Sequence, residues 1–429
     1  IMDKAIGSKI ADYLIKPVNP KQILLTIKKN IDHKRLITEK TTTAYQSEFA
    51  KITMAINESS SFNDWVEINK KLVYWDLELE RLNDNTMEEV LDMQKSEANI
   101  SFTKFIKKNY YSWFDENNTD KPLLSKDIIK HKVVPLLKEK EKVCMIVVDN
   151  LRYDQWKILQ PAISEYFELI EEDIFCSILP TATQYSRNAM FAGMMPLEIE
   201  KLYPEYWLKD EEEGGKNLFE KNLLEKQIPR LGLDIKFQFE KIMNNREGKK
   251  LVNNISNILI NDLFIVVYNF VDMLSHARTE SQMIRELASD ESAYRSLTLS
   301  WFEHSTLLEF LKALAEKNVK VVITTDHGTI RVNNPVKVIG DRNTSTNLRY
   351  KQGRNLNYNP KDVFEIVKPE KAHLPKSNMS STYIFACNDD FFAYPNNYNY
   401  YVKYYKNTFQ HGGLSMEEML IPIISLKPK

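Results

Sequence analysis

Three apolar runs in this chain each lead to an aspartate. They are KVCMIVVDN (142–150), LFIVVYNFVD (263–272) and VKVVITTD (319–326), and the acids are Asp149, Asp272 and Asp326. An open α/β sheet gathers its ligands beyond the carboxyl ends of its parallel strands, so the three acids are expected in one place. Three carboxylates brought together repel one another unless a cation shares them. The chain supplies imidazoles to match: His276 four residues after Asp272, His327 beside Asp326, and His411 in FQHGGLSMEEM. Three carboxylates with three histidines suit a pair of borderline-soft cations such as zinc better than magnesium. His33, His131, His304 and His373 have no such company and read as surface or helix residues.

The stretch ILPTATQYSRNAMFAGMMP (178–196) adds hydroxyls on a tight segment that turns helical: Thr181, Thr183 and Ser186. A threonine hydroxyl is a poor nucleophile near neutral pH, and a bound metal favours its alkoxide. Two cations about 4 Å apart can hold such a nucleophile and brace the leaving oxygen of an in-line phosphoryl transfer. Arg187, four positions after Thr183, and Arg152, just beyond VVDN, are candidates to meet a phosphate oxygen.

These residues need a scaffold, and the distribution of glycine and proline outlines one. No glycine lies between Gly7 and Gly193 and no proline between Pro20 and Pro122. A stretch so free of breakers, with apolar residues at helical spacing, predicts long helices. Residues 31–118 are expected to form a small antiparallel helical bundle, with FDENNTDKP as its exit. From 119 onward strands alternate with helices, and the uniformly apolar strands predict a sheet buried on both faces.

Between His327 and His411 lie 83 residues, more than one crossover needs, so 331–408 reads as an insertion over the site. From Arg331 to Lys376 it carries ten basic residues against four acids, followed by the tyrosine-rich FFAYPNNYNYYVKYYKNTF. This composition predicts a channel in which Arg349 and Lys351 track a phosphate backbone while rings stack on bases.

The whole chain is nearly neutral, with 58 basic and 59 acidic residues, which argues against coating nucleic acid by charge alone. Cys144, Cys176 and Cys387 are scattered and form no paired framework, as expected of a cytoplasmic protein. No apolar stretch is long enough to span a membrane, so no membrane insertion is expected.

Two resemblances complete the reading. KAIGSKIADYLIKPVNPKQILLTIKKNI is similar to the C-terminal end of a response-regulator receiver domain, which assigns residues 1–30 to such a tail and Lys16 to the phosphoryl contact. The phosphate-accepting aspartate would lie upstream. Asp149, P-x-x-T (Pro180–Thr183), D-x-x-x-H, D-H-G and H-G-G-x-S, in that order, resemble the alkaline phosphatase superfamily, and within it the PglZ domain. A receiver tail, a bundle and this domain together resemble the PorX response regulators of bacteria with type 9 secretion.

The resemblance implies an α/β fold: an alkaline-phosphatase-like mixed or parallel sheet flanked by helices over 119–429, preceded by the all-α bundle and the receiver tail. It also implies one zinc on Asp149, Thr183, Asp326 and His327 and a second on Asp272, His276 and His411, with Thr183 as nucleophile. Thr181 and Ser186 stand in reserve. The activity implied is phosphodiester hydrolysis on nucleotides or short cyclic or linear oligonucleotides. A phosphomonoesterase or phosphomutase is the alternative within enzymes, and an output module that binds a sigma factor is the alternative outside them. A sensor histidine kinase and a homodimer favoured by phosphorylation are the further partners implied.

Overall fold

The absence of helix breakers yields three long helices: α1 (Pro20–Glu58), α2 (Phe62–Glu80) and α3 (Asn85–Asn109). The protein is described by a computed structural model covering residues 20–429, apart from 83–84, 116, 140, 211, 213, 342–343, 377 and 379. Lys16 and the strand expected of the receiver tail lie outside the described residues. Helix α1 runs unbroken across residue 30, so the expected boundary between tail and bundle falls inside a helix.

Contacts divide the chain into two compact units, 1–59 with 70–95, and 60–69 with 96–429. The bundle expected over 31–118 is therefore shared between them. In the first unit Tyr45 packs on Trp75 at 5.4 Å between ring centroids, and its hydroxyl donates to Gln94 Oε1 at 3.2 Å. In the second, Trp65 meets Phe102 edge to face at 5.4 Å. The later half of α3 is bonded into the remainder of that unit, where Asn99 accepts from the Met416 N–H at 2.8 Å. These helical aromatics form a core rather than a cofactor site.

The large sheet lies wholly in the second unit. Its strands are β1 (Val143–Val148), β2 (Phe167–Cys176), β3 (Phe237–Ile242), β4 (Leu263–Tyr268), β5 (Lys320–Thr324) and, after the insertion, β13 (Leu420–Pro428), in the order β2-β13-β5-β1-β4-β3. Strands β3, β4, β1 and β5 are parallel, and β13 runs antiparallel to both β5 and β2. Every residue of β1 and β4 is buried. Helices on both faces explain that uniform apolar character. Those that bear on the site are α4 (Tyr153–Ile163), α5 (Thr183–Ala192), α6 (Glu220–Arg230), α7 (Phe270–Glu280), α8 (Glu291–Glu303), α9 (Thr306–Glu316) and α10 (Tyr398–Tyr405).

The insertion leaves and re-enters at one point, because β6 (Ile330–Arg331) pairs antiparallel with β12 (Phe409–Gln410). Beyond that neck, β7 (Asn334–Lys337) and β11 (Asp390–Ala393) form one small sheet. Strands β8 (Tyr350–Gly353), β9 (Val363–Ile366) and β10 (Thr382–Ala386) form another. Val338, Val363, Ile384, Ala386 and Phe392 give the insertion a core of its own.

Candidate active site

Adjacent parallel strands deliver the site. Asp149 follows β1 directly, and Asp326, His327 and Gly328 follow β5 after one further residue. Asp272 arrives differently from expectation. Strand β4 stops at Tyr268, and the acid sits in the first turn of α7, with His276 one turn on along the same face. His411 comes from the loop between β12 and β13. Gly328 is required where it stands, because a Cβ there would collide with the backbone carbonyl of Glu417.

The six side chains form two groups able to hold a cation, Asp149 with Asp326 and His327, and Asp272 with His276 and His411. The groups adjoin: the His327 and His411 rings stack at 4.2 Å, and Asn150 bridges them. Its backbone N–H reaches Asp326 Oδ1 and its amide reaches Asp272 Oδ1, each at 3.4 Å.

The donor set fits a divalent metal in three respects. Asp149 Oδ1 and Asp326 Oδ2 are buried with no hydrogen-bond partner, the kind of orphaned oxygen that a cation satisfies. His327 Nδ1 lies 3.2 Å from the Gly328 carbonyl and His411 Nδ1 lies 3.2 Å from that of Thr181. Donation there leaves the lone pair on each Nε2, the nitrogen that a metal-ligating imidazole presents, with that of His327 turned to the Thr183 hydroxyl. Burial also drives His327 down to about 4 and His411 to about 3, so both rings are neutral near pH 7. Burial acts on the carboxyls in the opposite direction. It pushes Asp149 up to about 6 against the pull of Arg187, and raises Asp272 and Asp326 as well. A bound cation would favour the ionised form of all three.

Thr183 opens helix α5, where the first N–H groups lack intrahelical partners and favour negative charge. Its hydroxyl stands 3.1 Å from His327 Nε2. The two reserve hydroxyls are occupied. Thr181 donates to the Gly413 carbonyl at 2.7 Å and accepts from the Gly412 N–H at 3.1 Å, and Ser186 donates to the Ala182 carbonyl at 2.9 Å.

The four basic residues expected to meet substrate all hold protein partners, although Arg187 Nη2 is buried without a hydrogen bond. Arg187 is fully buried, 2.7 Å from Asp149 Oδ2 and 2.7 Å from Glu220 Oε1, so it holds Asp149 with the other oxygen free. Glu220 is paired in turn with Lys241 at 2.6 Å. Arg152 is clamped by Asp154 and Glu291, each at 2.6 Å. Arg349 grips Glu418 through two nitrogens, at 3.1 and 2.6 Å, and Glu418 also accepts from the Gly413 N–H at 2.8 Å. Arg349 thereby supports the loop that carries His411. Lys351 is 1 % exposed, donates to the Ser345 carbonyl at 2.9 Å and lies over the Tyr394 ring. The expectation that Arg349 and Lys351 line an open channel is corrected: both face inward, because the small sheets of the insertion bury them.

A cleft of about 410 Å³ opens over His276 and His411, lined also by Gln184, Asp210, Lys216, Asn347 and Tyr405. Tyr405 lies in the tyrosine-rich run already singled out, and none of the other four stood out in the sequence. Asn347 receives the Arg349 N–H at 2.7 Å on its amide oxygen, and Asp210 accepts from the Tyr350 hydroxyl at 3.1 Å. Gln184 adjoins Thr183, and that adjacency is the one signal that could have found any of them. Tyr405 belongs to α10, whose tyrosines stack in two rows, Tyr400 on Tyr404 and Tyr401 on Tyr405, each at 6.1 Å.

The chain is similar in fold to phosphonoacetate hydrolase from Sinorhizobium meliloti 1021 in complex with phosphonoformate, at 9% identity and a TM-score of 0.42, covering 66% of this chain and 89% of that one. Murine ectonucleotide pyrophosphatase/phosphodiesterase 5 gives 10% identity and a TM-score of 0.41, covering 66% and 88%. No curated protein matched. Family models match two stretches, the PorX response regulator linker domain at 35–114 and the BREX system PglZ alkaline phosphatase-like domain at 128–426. The second match takes in all six candidate ligands and Thr183, and with it the chain belongs to the PglZ family of alkaline phosphatase-like domains, here preceded by the linker of a PorX-type response regulator.

Proposed function

We propose that this chain is a metal-dependent phosphodiesterase that cleaves nucleotides or short oligonucleotides through Thr183. It would serve as the output of a two-component response regulator acting in type 9 secretion. The observation that carries the reading is the Thr183 hydroxyl at the start of α5, 3.1 Å from His327 and beside two adjoining groups of cation ligands. Asp149, Asp326 and His327, with Thr183, would hold one zinc ion, and Asp272, His276 and His411 the other. When bound, the pair would supply positive charge that favours the ionised threonine and offsets charge on the leaving oxygen.

The chain's own residues supply the rest. The Thr183 oxygen attacks phosphorus, forming an ester bond to Thr183 as the bond to the leaving alkoxide breaks. The N-terminal turn of α5 faces the developing negative charge with N–H groups. Water then attacks this threonine-linked phosphodiester, releasing the phosphomonoester product and restoring the hydroxyl while the departed alkoxide takes its proton from solvent. Arg187 keeps Asp149 in one orientation throughout, and Asn150 ties the two ligand groups to a common frame.

Support for an oligonucleotide substrate comes from the tyrosine rows of α10, which begin at the cleft with Tyr405 and offer flat faces for bases. Support for a homodimer comes from α1, which exposes Leu24, Ile27, Leu36 and Ile37 to solvent. The PorX-type linker supports a sensor histidine kinase as upstream partner, with a sigma factor as a further partner of the same assembly. No helix among the described residues is long and apolar enough to cross a membrane.

The test is turnover of a chromogenic phosphodiester against the matching monoester, with and without a chelator. The expected result is diester hydrolysis that the chelator abolishes and zinc restores. Chelator-resistant turnover, or none with zinc supplied, overturns the reading.

A further inference from the structure

A second cavity, about 400 Å³ in volume, lies on the same carboxyl edge of the sheet, on another face of α7. Its walls come from the end of β3, the start of α7 and the junction of α8 with α9. The position is tied to the site, since the Asp149 N–H donates to the Tyr268 carbonyl at 2.8 Å and Tyr268 lines this cavity. Asp272, a candidate cation ligand, stands between Phe270 and Met273, which both turn into the cavity.

Its chemistry suits a flat heterocycle. Phe270 and Trp301 lie parallel, 4.1 Å apart with 3° between their planes, and both line the cavity. Met243 and Met273 are each 47% exposed at its mouth, and sulfur packs well against aromatic rings. The rim carries amide and imidazole groups that match the edge of a nucleobase, namely Asn245 and His304. His304 Nδ1 is engaged by the Ser300 carbonyl at 2.8 Å, which leaves its Nε2 to the cavity. A purely apolar ligand would leave that rim unmatched, and a free phosphate would find no lysine or arginine lining the walls.

We propose that this cavity binds a nucleobase of the substrate, the one neighbouring the scissile phosphate on the side away from the α10 tyrosines. This inference rests on the phosphodiesterase reading and gives it a specificity: substrates with a base on each side of the phosphate are preferred over those with one.

The test uses the full chain and has two readouts. The first is binding of adenosine monophosphate to chelator-treated protein, followed by calorimetry and by quenching of tryptophan fluorescence. The second is steady-state hydrolysis of linear di-adenosine monophosphate and of a chromogenic diester that carries no base. In Trp301→Leu, nucleotide affinity should fall about tenfold and the dinucleotide KM should rise about tenfold, with kcat and chromogenic turnover unchanged. Met243→Glu, a surface change at the mouth, should act in the same direction and guards against a folding defect at Trp301. Unchanged dinucleotide KM in both variants overturns the proposal, as does an equal loss on the chromogenic diester. Nucleotide binding that depends on Trp301 without turnover of either diester would support the pocket and sink the catalytic reading instead.

Discussion

At the carboxyl edge of the large sheet, Asp149 and Asp326 each leave one oxygen without a hydrogen-bond partner. In the insertion, by contrast, Arg349 and Lys351 turn inward, onto Glu418 and the Ser345 carbonyl. Both regions bury charge, and they use it differently. The strand-end carboxylates are held half-satisfied around a space that a cation fits. The insertion's cations complete hydrogen bonds inside a small domain, and Arg349 thereby braces the His411 loop. Gly413 shows how tightly, since a Cβ there would lie 2.8 Å from the Arg349 guanidinium carbon. A buried charge marks a functional site when its partners are incomplete, and a support when they are complete.

The largest effect expected from this contrast lies at Thr183. Thr183→Val keeps the shape and removes the oxygen proposed to attack, so turnover should fall on the order of a thousandfold or more while zinc binding is retained. Thr181→Val should act differently. It breaks the bonds to Gly412 and Gly413, loosening the His411 loop, so zinc affinity should weaken along with activity. Rapid kinetics together with metal content separates the two. Loss of activity with full zinc in Thr181→Val and not in Thr183→Val would reassign the nucleophile.

Removing a ligand comes next. Asp326→Ala or His411→Ala should each lose one of two zinc ions by elemental analysis, and should lower the melting temperature of the zinc-loaded protein, because the metal binds only the folded state. Wild-type protein purified without chelator and found free of transition metal would break the comparison at its root.

For the insertion, the expected readout is stability. Arg349→Ala leaves Glu418 buried and unpaired, a loss of about 3–5 kcal/mol on unfolding in denaturant. Had Arg349 faced a channel, the same change would raise KM for oligonucleotides and leave the denaturant midpoint alone.

The two regions also differ in what the sequence could disclose. Asp149 and Asp326 were legible because a buried parallel strand fixes where its carboxyl end points. His276 was legible because four residues is one helical turn from Asp272. The strand-to-helix change at Tyr268 did not harm that reading, since the acid arrives at the same edge from the first turn of α7. The cleft residues Asp210, Lys216 and Asn347 were hidden because loops distant in sequence bring them together, and no periodicity records that. Arg349 and Lys351 were misread for a related reason. Basic composition suggests a solvated face, but every residue of the short strand β8 is buried whatever its charge, and Glu418 lies 69 residues from Arg349. The helical bundle was legible as helices, because apolar spacing shows which faces are buried, though not what they are buried against.

Lys351 gives the smallest effect and the sharpest sign. Burial lowers its amine to about 7, so near neutral pH it is partly uncharged, over the Tyr394 ring. The folded value lies below the unfolded one of about 10.4. The unfolded chain therefore takes up this proton first as pH falls, and the stability that the neutral amine contributes is lost between about pH 10 and 7. Below that window both states are charged and no further loss follows. Lys351→Met, similar in length and free of the charge, should remove this dependence. Its melting temperature at pH 7 should exceed that of the wild type by about 2 °C or more, and the gap should narrow as pH rises toward 10. A destabilised Lys351→Met at pH 7, with oligonucleotide KM raised, would mean that the amine serves substrate after all and that the insertion resembles the metal edge more than its packing indicates.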